Sequence, residues 1–212
     1  MKEATGVNRK QIVLLAFKVA ILALSLVGAV KMIFFGLVVD EEYAVVMSYR
    51  MVSGDAMLWD MWEPHQTSGF VCAIFIKLFL MLFGSTEYLL IYLRIVGVIL
   101  QLAVSLFVYD TIRKIYDKEI AFWAGIMCFS LLPKWIQTPE FANILLWSNL
   151  CTMMCLLRYA RVEKGRKRWL ILGAVFYCCA ILAYPTCLLL LPVYLYGIYR
   201  CVASEGKKNI GA

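Results

Sequence analysis

Carboxylates dominate the one long polar stretch of this chain: Asp40, Glu41 and Glu42 stand together, and Asp55, Asp60 and Glu63 follow before a single histidine, His65. A carboxylate held beside a hydroxyl or amine can take its proton as that group attacks another atom, which makes the triplet a candidate for general-base work. The triplet also follows directly on an apolar run, where charge is costly to hold and so invites a functional hypothesis. Arg94, inside a later apolar run, offers a planar guanidinium able to bind phosphate or carboxylate oxygens in pairs. Glu140 lies in a short turn, Pro133 to Asn143, that also carries Lys134.

Each of these residues also has a plainer role. Asp40 is placed to cap a helix from Glu41 to about Ser53, with Gly54 as its stop and acids facing the positive helix end. Glu140 could likewise cap a helix starting at Phe141, Arg94 could pair with Glu87 seven residues earlier, and His65 could be structural. Capping uses a single oxygen, however, and leaves Asp55, Asp60, Glu63 and His65 without a reason.

The elements that must position these groups are membrane helices. Hydrophobic residues make up 63% of the chain and charged ones 17%, with a mean hydropathy of +0.80, which identifies an integral membrane protein. The net charge of +7 would suggest nucleic acid in a soluble chain, but the bases sit in short loops beside apolar runs, so no nucleic-acid partner is expected. Seven of the eight cysteines lie within apolar runs and read as small packing residues. One histidine, with no CxxC pair, cannot build a His-based metal site.

Six spans are expected, at Ile12 to Val39, Tyr88 to Tyr109, Ile120 to Ile136, Phe141 to Leu157, Trp169 to Ala183 and Thr186 to Tyr199. The segment from Ser68 to Phe83 would reach only about 24 Å as a helix, against a hydrocarbon core of about 30 Å. With that segment on the surface, fifteen of the 21 Lys and Arg residues fall on one side, including the cluster from Arg158 to Arg168. The positive-inside rule favours this arrangement, and Lys77 costs little at an interface. The fold class is therefore all-α and polytopic, with juxtamembrane helices within residues 40–83 on the outer face. Both the tail 1–11 and the tail 201–212 are cytoplasmic in the plasma membrane, with Cys201 on the inner side.

The order of pieces resembles the N-terminal part of the GT-C membrane glycosyltransferases, the group of protein O-mannosyltransferases, aminoarabinose transferases and RgtA/B/C/D-like enzymes. The residues that carry it are Asp40-Glu41-x-Tyr43, Gly54-Asp55, Pro64-His65-Gln66, Leu82-Phe83-Gly84-Ser85 and Arg94, followed by Thr138-Pro139-Glu140 and Tyr184-Pro185-Thr186. The chain departs from the family where Gln66-Thr67 replaces a proline pair, and where Tyr184-Pro185-Thr186 lacks a basic residue of the aminoarabinose transferases.

The resemblance implies a GT-C-like membrane domain over residues 12–200. It implies transfer of a sugar from a polyprenyl-phosphate donor in the lipid bilayer to an acceptor on the extracytoplasmic face. Asp40 and Glu41 are then the catalytic candidates, and Arg94, His65, Glu140 and Asp60 the candidates for binding substrate or donor, with Arg94 meeting the leaving phosphate. No cofactor is specified; a divalent cation is compatible, its ligands undefined. Family enzymes have around a dozen spans, so the expectation is a chain inactive alone, either a truncated product or one half of a split enzyme whose partner chain supplies the remaining helices. The competing classes are a transporter or channel subunit, suggested by Pro133, Pro139, Pro185 and Pro192 within apolar stretches, and a non-catalytic scaffold for envelope assembly.

Overall fold

The computed structural model describes residues 9–36, 39–62, 65–162 and 166–209, with side chains as far as residue 200. Glu63, Pro64 and the side chain of Cys201 lie outside the described residues. Among the described residues eight α-helices form: α1 (Arg9–Ile33), α2 (Val39–Ser53), α3 (Gly69–Phe83), α4 (Leu89–Arg113), α5 (Lys118–Ser130), α6 (Phe141–Leu157), α7 (Lys167–Ala183) and α8 (Leu191–Asn209). Among the described residues, four helical segments are long and apolar enough to cross a membrane: Arg9–Ile33, Gln66–Phe83, Leu89–Arg113 and Phe141–Val162.

Local chemistry explains most boundaries. Gly54, at φ +110°, and Gly84, at φ +64°, end α2 and α3 in left-handed conformations that cost glycine nothing. Asp117 caps α5 by accepting the Ile120 N–H at 2.8 Å. The expected span from Ile120 to Ile136 is cut short at Ser130, because Leu131 turns extended and Pro133 cannot continue a helix. Gln101 of α4 serves the carbonyls released there, its amide donating to Cys128 O at 2.5 Å and Leu131 O at 3.1 Å. The expected start of α2 also moves: the helix begins at Val39, so Asp40 lies inside the first turn and is not the cap.

Two ends of the bundle can be distinguished by what meets there. At one end the last turn of α1, the first turns of α2, α4 and α6, and the end of α7 converge. At the other the C-terminal ends of α4 and α6 meet the start of α7.

Helix α3 begins and finishes at the first end. The 3-10 turn before it is tied to α7 by a bond from Thr67 Oγ1 to Leu182 O at 2.5 Å. Its last turns pack on the first turns of α4, where Phe79 lies 4.9 Å from the Tyr92 ring and joins Ile76, Leu89 and Leu93 in one buried cluster. Length and apolarity would let Gln66–Phe83 cross a membrane, and its last turns pack in one buried cluster with the first turns of α4.

Candidate functional site

Arg94 is buried, and its surroundings use all of its hydrogens. Nε and Nη2 donate to the two oxygens of Glu41, at 2.9 and 2.5 Å. Nη1 donates to the carbonyls of Ile33 at 2.9 Å and Phe35 at 2.5 Å, and Nη2 also to Gly36 at 3.0 Å. A guanidinium has five N–H donors, and five bonds account for them. The plainer role, an ion pair, is the one formed, but its partner is Glu41 on another helix and not Glu87. Two buried charges neutralise each other while the arginine also satisfies carbonyls left open at the end of α1. This arrangement leaves Arg94 no hydrogen for a leaving phosphate.

Asp40, one residue before Glu41, faces the other way. Its side chain is 53% exposed, and Oδ2 accepts from Lys134 Nζ at 3.0 Å. Lys134 comes from the turn between α5 and α6, where it and Trp135 both adopt left-handed backbone, with φ of 55° and 62°. Two adjacent non-glycine residues in that region cost on the order of 1–3 kcal/mol each, so the turn must be held from outside. Asn143 supplies that hold, its Nδ2 donating to Ile136 O at 3.0 Å and Thr138 O at 2.7 Å. Gln137 adds a bond from Nε2 to Ala29 O at 2.9 Å, tying the turn to α1.

Gly97 of α4 lets the turn approach, because a Cβ there would stand 1.5 Å from Gln137 O. The strained turn is thus clamped from α1, α4 and α6, and Lys134 is its projecting group.

Glu140 caps α6, Oε1 accepting the Asn143 N–H at 3.0 Å, as the plainer sequence role anticipates. It is also buried, with Oε2 lacking a hydrogen-bond partner among the described residues. Burial pushes its carboxyl above the ordinary range; bonds from the Ala142 and Asn143 amides and the charge of Lys134 pull it back, while Asp40 pushes it further up.

His65 is stacked between Phe141 and Tyr184, each 4.5 Å away, and Lys134 Nζ lies 4.0 Å over the same Phe141 ring. Burial, and secondarily the Lys134 charge, hold the imidazole below its ordinary value, which keeps it neutral near pH 7.

The structure therefore brings Asp40, Glu140 and His65 around Lys134, and places Arg94 and Glu41 together behind them. Asp60 is not part of this cluster. Its side chain accepts the Ala56 N–H at 2.8 Å and its carbonyl accepts Arg50 Nη2 at 2.8 Å, closing its own loop. Among the described residues, no group of three or more His, Cys, Asp or Glu is arranged to hold a metal ion.

Sequence reasoning gave no role to Lys134, Phe141 or Tyr184. A lone base in a turn facing an acidic loop was the available signal for Lys134; for the aromatic pair there was none.

An apolar groove of about 350 Å³ opens between α1, α4, the end of α5 and the turn that follows it. Phe35, Val98, Phe129 and Trp135 line it, with Lys31 and Gln137 as polar points.

A family model described as dolichyl-phosphate-mannose-protein mannosyltransferase matches residues 67–210, about two thirds of the chain. Arg94, Lys134 and Glu140 fall within the match, whereas Asp40, Glu41, Asp60 and His65 precede it. No curated protein and no solved structure matches the chain.

Proposed function

Since this chain belongs to the dolichyl-phosphate-mannose-protein mannosyltransferase family of GT-C membrane glycosyltransferases, we propose that it serves the transfer of a sugar from a polyprenyl-phosphate donor to an acceptor on the extracytoplasmic face. In this reading six helices cross the plasma membrane, both termini are cytoplasmic, and the end bearing Asp40 is outermost.

The observation that carries the reading is the exposed Asp40–Lys134 pair, borne on a turn whose next residue, Trp135, lines an apolar groove. A polyprenyl chain is apolar and its phosphate anionic, so the groove suits the chain while Lys134 suits the phosphate. When the phosphate draws Lys134 away from Asp40, the carboxylate is left open to the incoming acceptor. The acceptor oxygen or nitrogen forms its bond to the anomeric carbon and passes its proton to Asp40. The bond from that carbon to the phosphate oxygen breaks, and the electron pair leaves with the phosphate, whose charge Lys134 meets.

Arg94 does not contact the donor in this scheme. It is a positioning residue, holding Glu41 and with it the first turn of α2, on which Asp40 stands. Glu140 caps α6 beside them, and His65 stacks on the Phe141 ring that Lys134 overlies.

The test is label transfer from a radiolabelled polyprenyl-phosphate sugar in membranes that contain the chain. Label should appear on an acceptor, and its yield should depend on Asp40 and Lys134. Uptake of the intact donor into proteoliposomes, with no transfer, would instead mark a transporter.

A further inference from the structure

The loop after α2 is turned inside out, with its polar groups held within and its apolar side chains outside. Arg50, in the last turn of α2, donates from Nε to Asp55 Oδ2 at 2.6 Å and from Nη2 to Asp60 O at 2.8 Å. Asp60 Oδ2 accepts the Ala56 N–H at 2.8 Å, so Asp55 and Asp60 are both engaged inside the loop. Leu58 stands at φ 64°, in left-handed backbone that leucine rarely adopts. Its N–H is shared between Met61 O at 3.1 Å and Gln66 Oε1 at 3.0 Å, and Met61 is buried beneath the turn.

What this fixed turn presents is apolar. Leu58 is 62% exposed, Trp59 84% and Trp62 81%. Three residues after Trp62, His65 is stacked between Phe141, the first residue of α6, and Tyr184, the residue after α7. Three residues of chain reach at most about 11 Å, so Trp62 stands close to the level at which α6 begins. The helical segment Phe141–Val162 is long and apolar enough to cross a membrane, and its start marks where hydrocarbon gives way to water.

We propose that Leu58, Trp59 and Trp62 insert into the membrane interface, at the boundary of headgroups and acyl chains, and pin the loop after α2 to the bilayer. Indole rings suit that boundary, where an apolar body meets lipid and an N–H meets water. Drawing the carboxylates of Asp55 and Asp60 inward removes charge that would resist such insertion. A protein partner fits less well, since a stable interface takes roughly 20–30 residues a side and three side chains stand out here.

The test uses tryptophan fluorescence of the full chain in phosphatidylcholine nanodiscs, where both membrane faces are open to solvent. The emission lost between wild type and the double variant Trp59→Phe/Trp62→Phe belongs to the two loop rings. That emission should be quenched by phosphatidylcholine brominated near the carbonyl end of its acyl chains, less by the same lipid brominated near the methyl end, and little by aqueous iodide. Each single variant reads one ring by itself, so the result holds even where the double variant fails to fold. Quenching by iodide, with none by brominated lipid, would put the loop in water and overturn the proposal. Shielding from both quenchers would overturn it too, in favour of a protein contact such as a second copy of this chain.

Discussion

Asp40 and Glu41 are neighbours with opposite fates, and their difference is what the residue scale teaches. Glu41 is buried against Arg94, whereas Asp40 stays half exposed and pairs with Lys134. Asp40→Asn keeps shape and volume but cannot take a proton, so label transfer should fall by about 10²-fold or more at unchanged membrane level. Transfer like wild type would leave Asp40 as nothing more than the Lys134 partner.

Truncating Arg94 should act on stability first. Arg94→Ala strands a buried carboxylate, at a cost of roughly 3–5 kcal/mol. It should cost more than Glu41→Ala, because Arg94 also serves three carbonyls. Thermal unfolding in detergent checks the order, and equal losses would show that the carbonyl bonds contribute nothing.

Glu140 gives a pH-dependent test. Its carboxyl is held above its ordinary value, so the folded chain binds that proton more tightly than the unfolded chain. The associated stability is full at acid pH and is lost as pH rises through the raised value. Glu140→Gln stays neutral and keeps an oxygen for the Asn143 N–H, so as pH rises from the ordinary carboxyl range through the raised value the variant should gain on wild type in melting temperature. A constant difference between the two would mean that Glu140 does not titrate differently on folding.

At the scale of elements, the site depends on how closely the turn after α5 approaches α4. The contact of Gly97 with the Gln137 carbonyl is backbone on backbone, so no side chain can rotate away. Gly97→Ala should therefore destabilise by about 1–3 kcal/mol, despite alanine's better helix propensity. It should also impair transfer by shifting Lys134. Gly28→Ala is the control, since a Cβ there meets nothing within 4 Å, and it should be neutral or mildly stabilising. Both melting curves in the same detergent decide it; an undisturbed Gly97→Ala protein would mean the turn is not clamped.

For the whole molecule the decisive question is where α3 lies, because it sets the side of everything after it. If α3 rests on the outer surface, Ser53 and Lys118 face opposite sides of the membrane. If it crosses, they face the same side. Both positions are exposed. An impermeant thiol reagent should label Ser53→Cys in intact cells above the wild-type background, and Lys118→Cys only after permeabilisation. Labelling of both in intact cells would put α3 through the bilayer and reverse the topology.

Much of this molecule is local and so was readable in the chain. Apolar runs specified helices; Gly54 and Gly84 specified where two of them stop; Glu140 stood where a cap belongs; and the basic loops fell together at one end. These features depend on residues a few positions apart, through backbone bonds and sterics that every chain shares. Partnership across helices is another matter. Arg94 meets Glu41 across 53 positions, and Lys134 meets Asp40 across 94. A guanidinium or an ammonium will pair with any carboxylate within reach, and reach is decided by how helices pack. The glycine contact at Gly97 and the left-handed turn it admits brought these partners within reach, and only the tertiary structure contains that choice.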